Sequence, residues 1–254
     1  MDIPSHLYKY RSLRTKRDRQ YTARILTHNE IYLAKCTEFN DPFDCNLHIS
    51  AEGNIIAHKT KLRELNPDLS ESELNIRTRN ELEAKNIRKR EKKIHKDISQ
   101  INKAVLGIFS ISAKRDNILM WSHYSDYHRG ICLEFEVTNG KLFGCDLSKV
   151  IYQEQYPNLS VYDEIDLEWM KRFLTTKAYD WRYEEEWRIL YRETGCKVFP
   201  VEELTGVIFG ACISKKKREL VIEWLSNRTC KVQLYQAHEC IDRFGLDIIP
   251  VGYY

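Results

Sequence analysis

The sequence predicts an α+β protein: a mixed β-sheet core with flanking helices and a projecting, charged helical insertion. Three observations predict it. The 254 residues are 43% hydrophobic, enough for one sizeable core. Short apolar or alternating runs, roughly eight of them, interleave with runs of helical spacing. One segment, residues 68–105, fits neither pattern, because it is strongly charged and free of Gly and Pro. The chain reads as a single domain over residues 1–254, with that segment inserted in it and no internal repeat. The 10 Gly and 6 Pro argue against a loop-dominated or disordered chain.

The elements follow in order. "HLYKY" reads as a short strand, and the basic "RSLRTKRDRQ" follows it. "ARILTHNEIYLAK" reads as a short helix feeding a strand at Ile31–Ala34. In "TEFNDPFDCN", Asn40-Asp41-Pro42 has the chemistry of a tight turn. That turn is expected at the edge of the main cleft, with Phe39 and Phe43 packed inward. In the insertion, Leu74, Leu82, Ile87, Ile94, Ile98 and Ile101 recur at roughly helical spacing, and Ser70 or Ser72 can cap its start. "LGIFSIS" is a strand. Asp116 can cap a helix over about Asn117 to His128, with Gly130 just past its end. "ICLEFEV" alternates, with Ile131, Leu133, Phe135 and Val137 on one face. "KVIYQ" is a short strand, "VYDEIDLEWMKRFLTTKAY" an amphipathic helix and "EEWRILYR" a strand. "GVIFGACI" reads as fully buried. Ser214 caps "KKKRELVIEWLSN", and "CKVQLYQAHE" and "DIIPVGYY" close the sheet.

A net charge of +3 and a pI of about 8.3 do not force a nucleic-acid reading. The basic run 85–96 is a solvated helix face or a contact surface for a protein or nucleic acid. None of the 8 Cys forms a C-x-x-C pair. No apolar stretch is long enough for a membrane span, and the N-terminus has no signal-like core. The expectation is a cytoplasmic protein with reduced thiols, and no membrane partner.

Two stretches carry chemistry-bearing residues. In "YEEEWRIL", a strand places Glu184, Glu186 and Arg188 on one face, with the two carboxylates about 7 Å apart. At that separation one carboxylate can stabilise a developing cation while the other accepts a proton. The plainer alternative is an exposed face with a Glu–Arg pair. In "NILMWSHYSDYH", Met120, Trp121 and Tyr124 have helical spacing and suit core anchors. His123 and His128 are five apart, which is wrong for two ligands on one helix face, so no metal is expected. Ser122 has no adjacent base, and G-x-S-x-G, P-loop and G-x-G-x-x-G motifs are missing.

Taken together, "LYKYRS", "FNDPFD", "FSIS", "LMWSHYSDYHRGICLEF", "KAYDWRYEEEWR" and "VIFG" resemble a large bacterial family known only as domain of unknown function 2971. The resemblance covers nearly the whole chain except the insertion. It implies no settled activity.

A second, more distant resemblance is to ADP-ribosyltransferase folds. These are split mixed sheets with an early basic residue, a middle Ser-x-Ser and a late Glu-x-Glu. Here His6, Lys9 or Arg11 stands for the first, Ser110 and Ser112 for the second, and Glu184 and Glu186 for the third. The middle motif has Ile where Thr is common. This resemblance implies cleavage of the glycosidic bond of NAD, by ADP-ribosyl transfer or by hydrolysis, without a metal. Glu186 would stabilise charge on the ribose, Arg11 pair with the pyrophosphate, and Ser110 orient the ribose or amide. Trp121, Tyr124 and Tyr127 would form a stacking wall, with His123 a polar contact. Glu186→Gln is then expected to abolish turnover at nearly unchanged stability. A stress or phage-defence role, as a toxin-like effector, would suit such a family. The alternatives are a binding module for a nucleotide or other small anionic ligand without turnover, and a nuclease holding a divalent ion on Asp41, Asp44, Glu184 and Glu186.

Overall fold

The computed structural model describes residues 3–50, 55–83, 86–89, 91–94, 96, 106–160 and 166–254. Eight strands form the central sheet. They are β1 (His6–Arg11), β2 (Gly107–Ser112), β3 (Ile131–Glu136), β4 (Ser148–Lys149), β5 (Glu186–Tyr191), β6 (Leu204–Phe209), β7 (Gln233–Glu239) and β8 (Leu246–Tyr253). Their order is β8-β7-β6-β3-β1-β2-β5-β4. β6 and β7 run parallel, while the other neighbours are antiparallel. The sheet is therefore mixed, and with its flanking helices the fold is α+β.

β3 lies between β1 and β6, so Ile131, Cys132, Leu133, Glu134 and Phe135 are buried on both faces. The one-face alternation expected from "ICLEFEV" gives way to this two-sided burial. β1 pairs with β3 at six positions, from His6↔Glu136 to Arg11↔Ile131. It pairs with β2 at Tyr8↔Ser112 alone. Beyond that pair the two strands part, and the sheet is split there. Ile108 of β2 instead exchanges backbone bonds with Ala34, just after the strand Glu30–Leu33.

Helix α1 (Lys16–His28) starts at Thr15, whose hydroxyl accepts from the Asp18 N–H while Asp18 accepts from the Thr15 N–H. This helix takes up most of the basic "RSLRTKRDRQ". The turn at "FNDPFD" forms: Asp41 Oδ1 accepts from the Phe43 N–H at 2.9 Å. Phe39 packs inward, but Phe43 is 63% exposed, against expectation.

Helix α2 (Ile55–Leu65) was not foreseen. It packs on α3 (Glu71–Glu81), which Ser70 caps in a reciprocal box with Glu73. Residues 86–89 and 91–94 are also helical. Ile94 packs against an apolar cluster around Phe173, so the charged segment touches the core. Residues 84–85, 90, 95 and 97–105 lie outside the described residues.

Helix α4 (Ile118–Tyr124) is shorter than its sequence pattern. Asn117, not Asp116, caps it, accepting from the N–H groups of Leu119 and Met120. It ends in three consecutive left-handed residues, Asp126, Tyr127 and His128, with φ of 50°, 53° and 64°. A Cβ on Gly130 would sit 2.2 Å from the Arg11 carbonyl, so only glycine lets this turn reach β1.

Helix α5 (Leu167–Leu174) is capped by Asp166. Residues Thr176–Ala178, expected to extend that helix, pair as a strand with Ile151–Gln153. Ser214 caps α6 (Lys215–Leu225) as its sequence predicts.

Candidate active site

A cavity of about 800 Å³ opens where β1 and β2 part. β1 lines it with Lys9 and Arg11, β2 with Ser110 and Ser112, and α4 with His123 and Tyr124. Phe39, Asn40 and Asp44 reach it from the "FNDPFD" loop, and Lys177, Glu184 and Glu186 from the segment entering β5. Tyr21 and Tyr32 line another part of the wall.

The local structure before β5 differs from the expected strand. Tyr179–Glu184 forms a 3₁₀ turn, Glu185 is left-handed at φ 42°, and β5 begins at Glu186. Glu184 therefore reaches the cavity from a turn rather than by strand alternation. The two carboxylates still converge. Lys177 Nζ donates to Glu184 Oε2 at 2.5 Å and to Glu186 Oε2 at 3.0 Å.

Behind them Arg188 is fully buried. Its Nε donates to Glu186 Oε1 at 2.8 Å and its Nη2 to Glu186 Oε2 at 3.1 Å. The same guanidinium grips Asp44 through both terminal nitrogens, at 3.0 and 2.5 Å, and donates to the Leu174 carbonyl at 2.7 Å. Its plane lies over the Phe39 ring. Tyr124 Oη donates to Glu184 Oε1 at 2.6 Å and accepts from Asn40 Nδ2 at 3.4 Å. Tyr152 Oη accepts from the Glu186 N–H at 2.7 Å.

These surroundings push the two carboxyls apart. Burial raises Glu184 above the ordinary range, offset in part by Lys177, with Glu186 adding to the rise. Burial works the same way on Glu186, but Arg188 and Lys177 overcome it and hold that carboxylate well below the usual range. One environment thus makes a permanent anion and the other a proton acceptor closer to neutrality. Lys177 is held above its ordinary value, because Glu186, Glu184 and Asp44 outweigh burial.

Lys9 is different. Its ammonium donates to the Ser110 carbonyl at 2.6 Å and lies over the Phe109 ring, with no carboxylate in ion-pair range among the described residues. Burial and then the neighbouring Arg11 lower its pKa to about 8 from 10.5. Between those values the unfolded chain binds more protons than the folded one, so stability rises with pH across that window. Lys9→Met is expected to stabilise the protein at pH 7 by about 2 kcal/mol and to remove that rise. Urea unfolding at pH 7 and pH 10 reads both effects. Equal stabilisation at the two pH values would show that Lys9 carries no charge penalty.

Of the residues singled out in the sequence, Lys9, Arg11, Ser110, Ser112, His123, Tyr124, Glu184 and Glu186 meet in this cavity. Two do not. His6 sits toward the other end of β1, opposite Glu136, with its ring against Ser5. Trp121 is fully buried beneath the cavity, edge-on to Tyr10, with its indole N–H on the Arg115 carbonyl. It is a core anchor and cannot stack on a ligand. Tyr127 is exposed and does not line the cavity. Ser112 Oγ is engaged with the Glu184 carbonyl at 2.6 Å, which ties β2 to the turn rather than to a ligand. Lys177 received no role in the sequence reading, and Asp44 only a share in a metal site. No group of His, Cys, Asp and Glu suited to a metal occurs among the described residues, and Asp44, Glu184 and Glu186 are engaged by Lys177 and Arg188.

Residues 120–189 match the family model described as "Protein of unknown function (DUF2971)", in agreement with the motifs. The match runs from α4 to β5 and contains Tyr124, Lys177, Glu184, Glu186 and Arg188. No curated protein and no solved structure matches the chain.

Proposed function

We propose, with the match to a family of unknown function as the premise, that the cavity binds a nucleotide and cleaves its N-glycosidic bond, with NAD as the substrate. The observation that carries this reading is the pairing of Glu184 and Glu186 at one cavity wall, with carboxyls driven in opposite directions. Breaking the bond between ribose C1′ and the pyridinium nitrogen sends the electron pair to nicotinamide and leaves positive charge on the ribose. Glu186 is a fixed anion, already desolvated and held by Arg188 and Lys177, and so needs little reorganisation to stabilise that charge. An incoming water or acceptor hydroxyl attacks C1′ and passes its proton to Glu184. Arg11 lines the cavity, and its Nε donates to Thr22 Oγ1 at 3.3 Å. It suits the anionic linkage of a dinucleotide. Tyr124 and Asn40 set the orientation of Glu184.

Incubation with NAD, followed by chromatography for nicotinamide, tests the reading. Release is expected, and its absence at high enzyme concentration would overturn it. A second reading is favoured by one feature, that both Glu186 oxygens are already taken by Arg188 and Lys177. A site so tightly paired also suits a binding module without turnover. Calorimetry with NAD and ADP-ribose separates the two, since binding without nicotinamide release identifies the module.

A further inference from the structure

We propose that Cys36 and Cys45 form an oxidisable dithiol whose disulfide fastens the loop that brings Phe39, Asn40 and Asp44 to the cavity. The two residues bracket that loop, nine positions apart, and no sequence spacing marks them as a pair. Folding brings them together. Both lie in the apolar cluster with Leu47, Ile108 and Phe173, near enough for each thiol to affect the other's ionisation. Arg188 Nη1 lies 3.6 Å from Cys45 Sγ and donates to it, while the same guanidinium grips Asp44.

The pair is chemically asymmetric. The neighbouring Cys45 thiol lowers the Cys36 pKa against the effect of burial, with help from Arg188. Cys36 in turn, with burial, pushes Cys45 well up. Cys36 is therefore the attacking sulfur and Cys45 the resolving one. Both residues are nearly buried, at 9% and 8% exposure, so the oxidant has to be small. Hydrogen peroxide fits. The Cys36 thiolate attacks one peroxide oxygen, the O–O bond breaks, and the departing hydroxide takes a proton to leave as water. Cys45 then displaces a second water from the sulfenic acid. Two thiols are oxidised and one peroxide is reduced to two waters. In a reducing compartment the pair rests as thiols, so the disulfide is a conditional state.

The test begins with the purified wild-type chain, treated with hydrogen peroxide, quenched with N-ethylmaleimide, unfolded and digested with trypsin. No Lys or Arg lies between the two cysteines, so both fall on the peptide Cys36–Lys59. That peptide is expected two hydrogens lighter, unalkylated and restored by dithiothreitol. The oxidised protein is expected to melt roughly 5 °C higher, as a closed ten-residue loop implies. Cys45→Ser is expected to leave Cys36 as a sulfenic acid that dimedone traps. Recovery of both cysteines as maleimide adducts, after peroxide has oxidised the exposed Cys196 and Cys212, would overturn the proposal. If a serine variant does not fold, the wild-type peptide mass decides alone.

Discussion

Arg188→Met is expected to destabilise the protein by about 3–5 kcal/mol, the largest effect of any single substitution considered. Arg188 is fully buried and makes charged bonds to both Glu186 and Asp44. Removing it leaves two nearly buried carboxylates to share Lys177, and the cost is theirs more than that of the lost bonds. Methionine keeps the length and fits the neighbouring Phe39 and Leu174, so packing is not the dominant loss. Guanidinium unfolding, read by tryptophan fluorescence, measures the change. Arg188→Lys should cost less, since charge remains while the two-pronged grip is lost. Adding Asp44→Asn and Glu186→Gln to Arg188→Met should recover part of the loss, because the stranded charges go with them. A cost below about 1 kcal/mol for Arg188→Met would mean that water reaches these carboxylates and that the cavity wall is not rigid.

Glu184→Gln is expected to slow nicotinamide release by about 10²–10⁴-fold while leaving the melting temperature close to that of the wild type. Glutamine keeps one acceptor oxygen for Lys177, and its amide nitrogen, in place of the other oxygen, can donate to the Tyr124 hydroxyl, so the side chain stays bonded at both ends. What disappears is the proton acceptor. The wild-type rate should fall on the acid side as Glu184 protonates, at a pH above that of an ordinary carboxyl because burial raises this one. The variant should lack that limb. Glu186→Gln behaves differently. The expectation of unchanged stability does not survive the structure, because Glu186 shares Arg188 with Asp44 and its loss leaves a buried guanidinium underpaired. It should lose activity and stability together, which makes it the poorer diagnostic. A Glu184→Gln rate within threefold of the wild type would remove the proton-transfer role, and with it the mechanism.

Much of the site was legible because its residues are polar groups where a core pattern predicts apolar ones. Glu184, Glu186 and Tyr124 stood out in this way. Trp121 misled because aromatic identity does not tell a ligand wall from a core anchor; only burial does, and it is fully buried. Lys177 and Asp44 were present in the motifs that carry the family resemblance, yet neither was placed in the ion network. Asp44 is 144 residues from Arg188, and no periodicity reports such a contact. Lys177 is near its partners Glu184 and Glu186 in sequence, but the turn that folds it back onto them was not foreseen. The boundary errors have local causes. α4 stops early because three left-handed residues follow it, and Asp126 and His128 are of types that tolerate that conformation without a glycine to announce it. The end of the turn, Tyr183 and Glu184, was read as strand because its charge continues the pattern of β5.

The placement of β1 in the sheet sets the order in which this protein can assemble. The strand leaves the ribosome well before its six-position partner β3, which is about 120 residues further along the chain. A ribosome adding about 5–20 residues per second leaves β1 unpaired for roughly 6–24 s. During that interval "HLYKYR" exposes both edges, and its alternation of Lys9 and Arg11 with Leu7 and Tyr10 is the guard a waiting strand requires. Such long-range pairing makes folding slow for the chain's size. The two cations that face the finished cavity therefore also protect the nascent chain from its neighbours on a polysome.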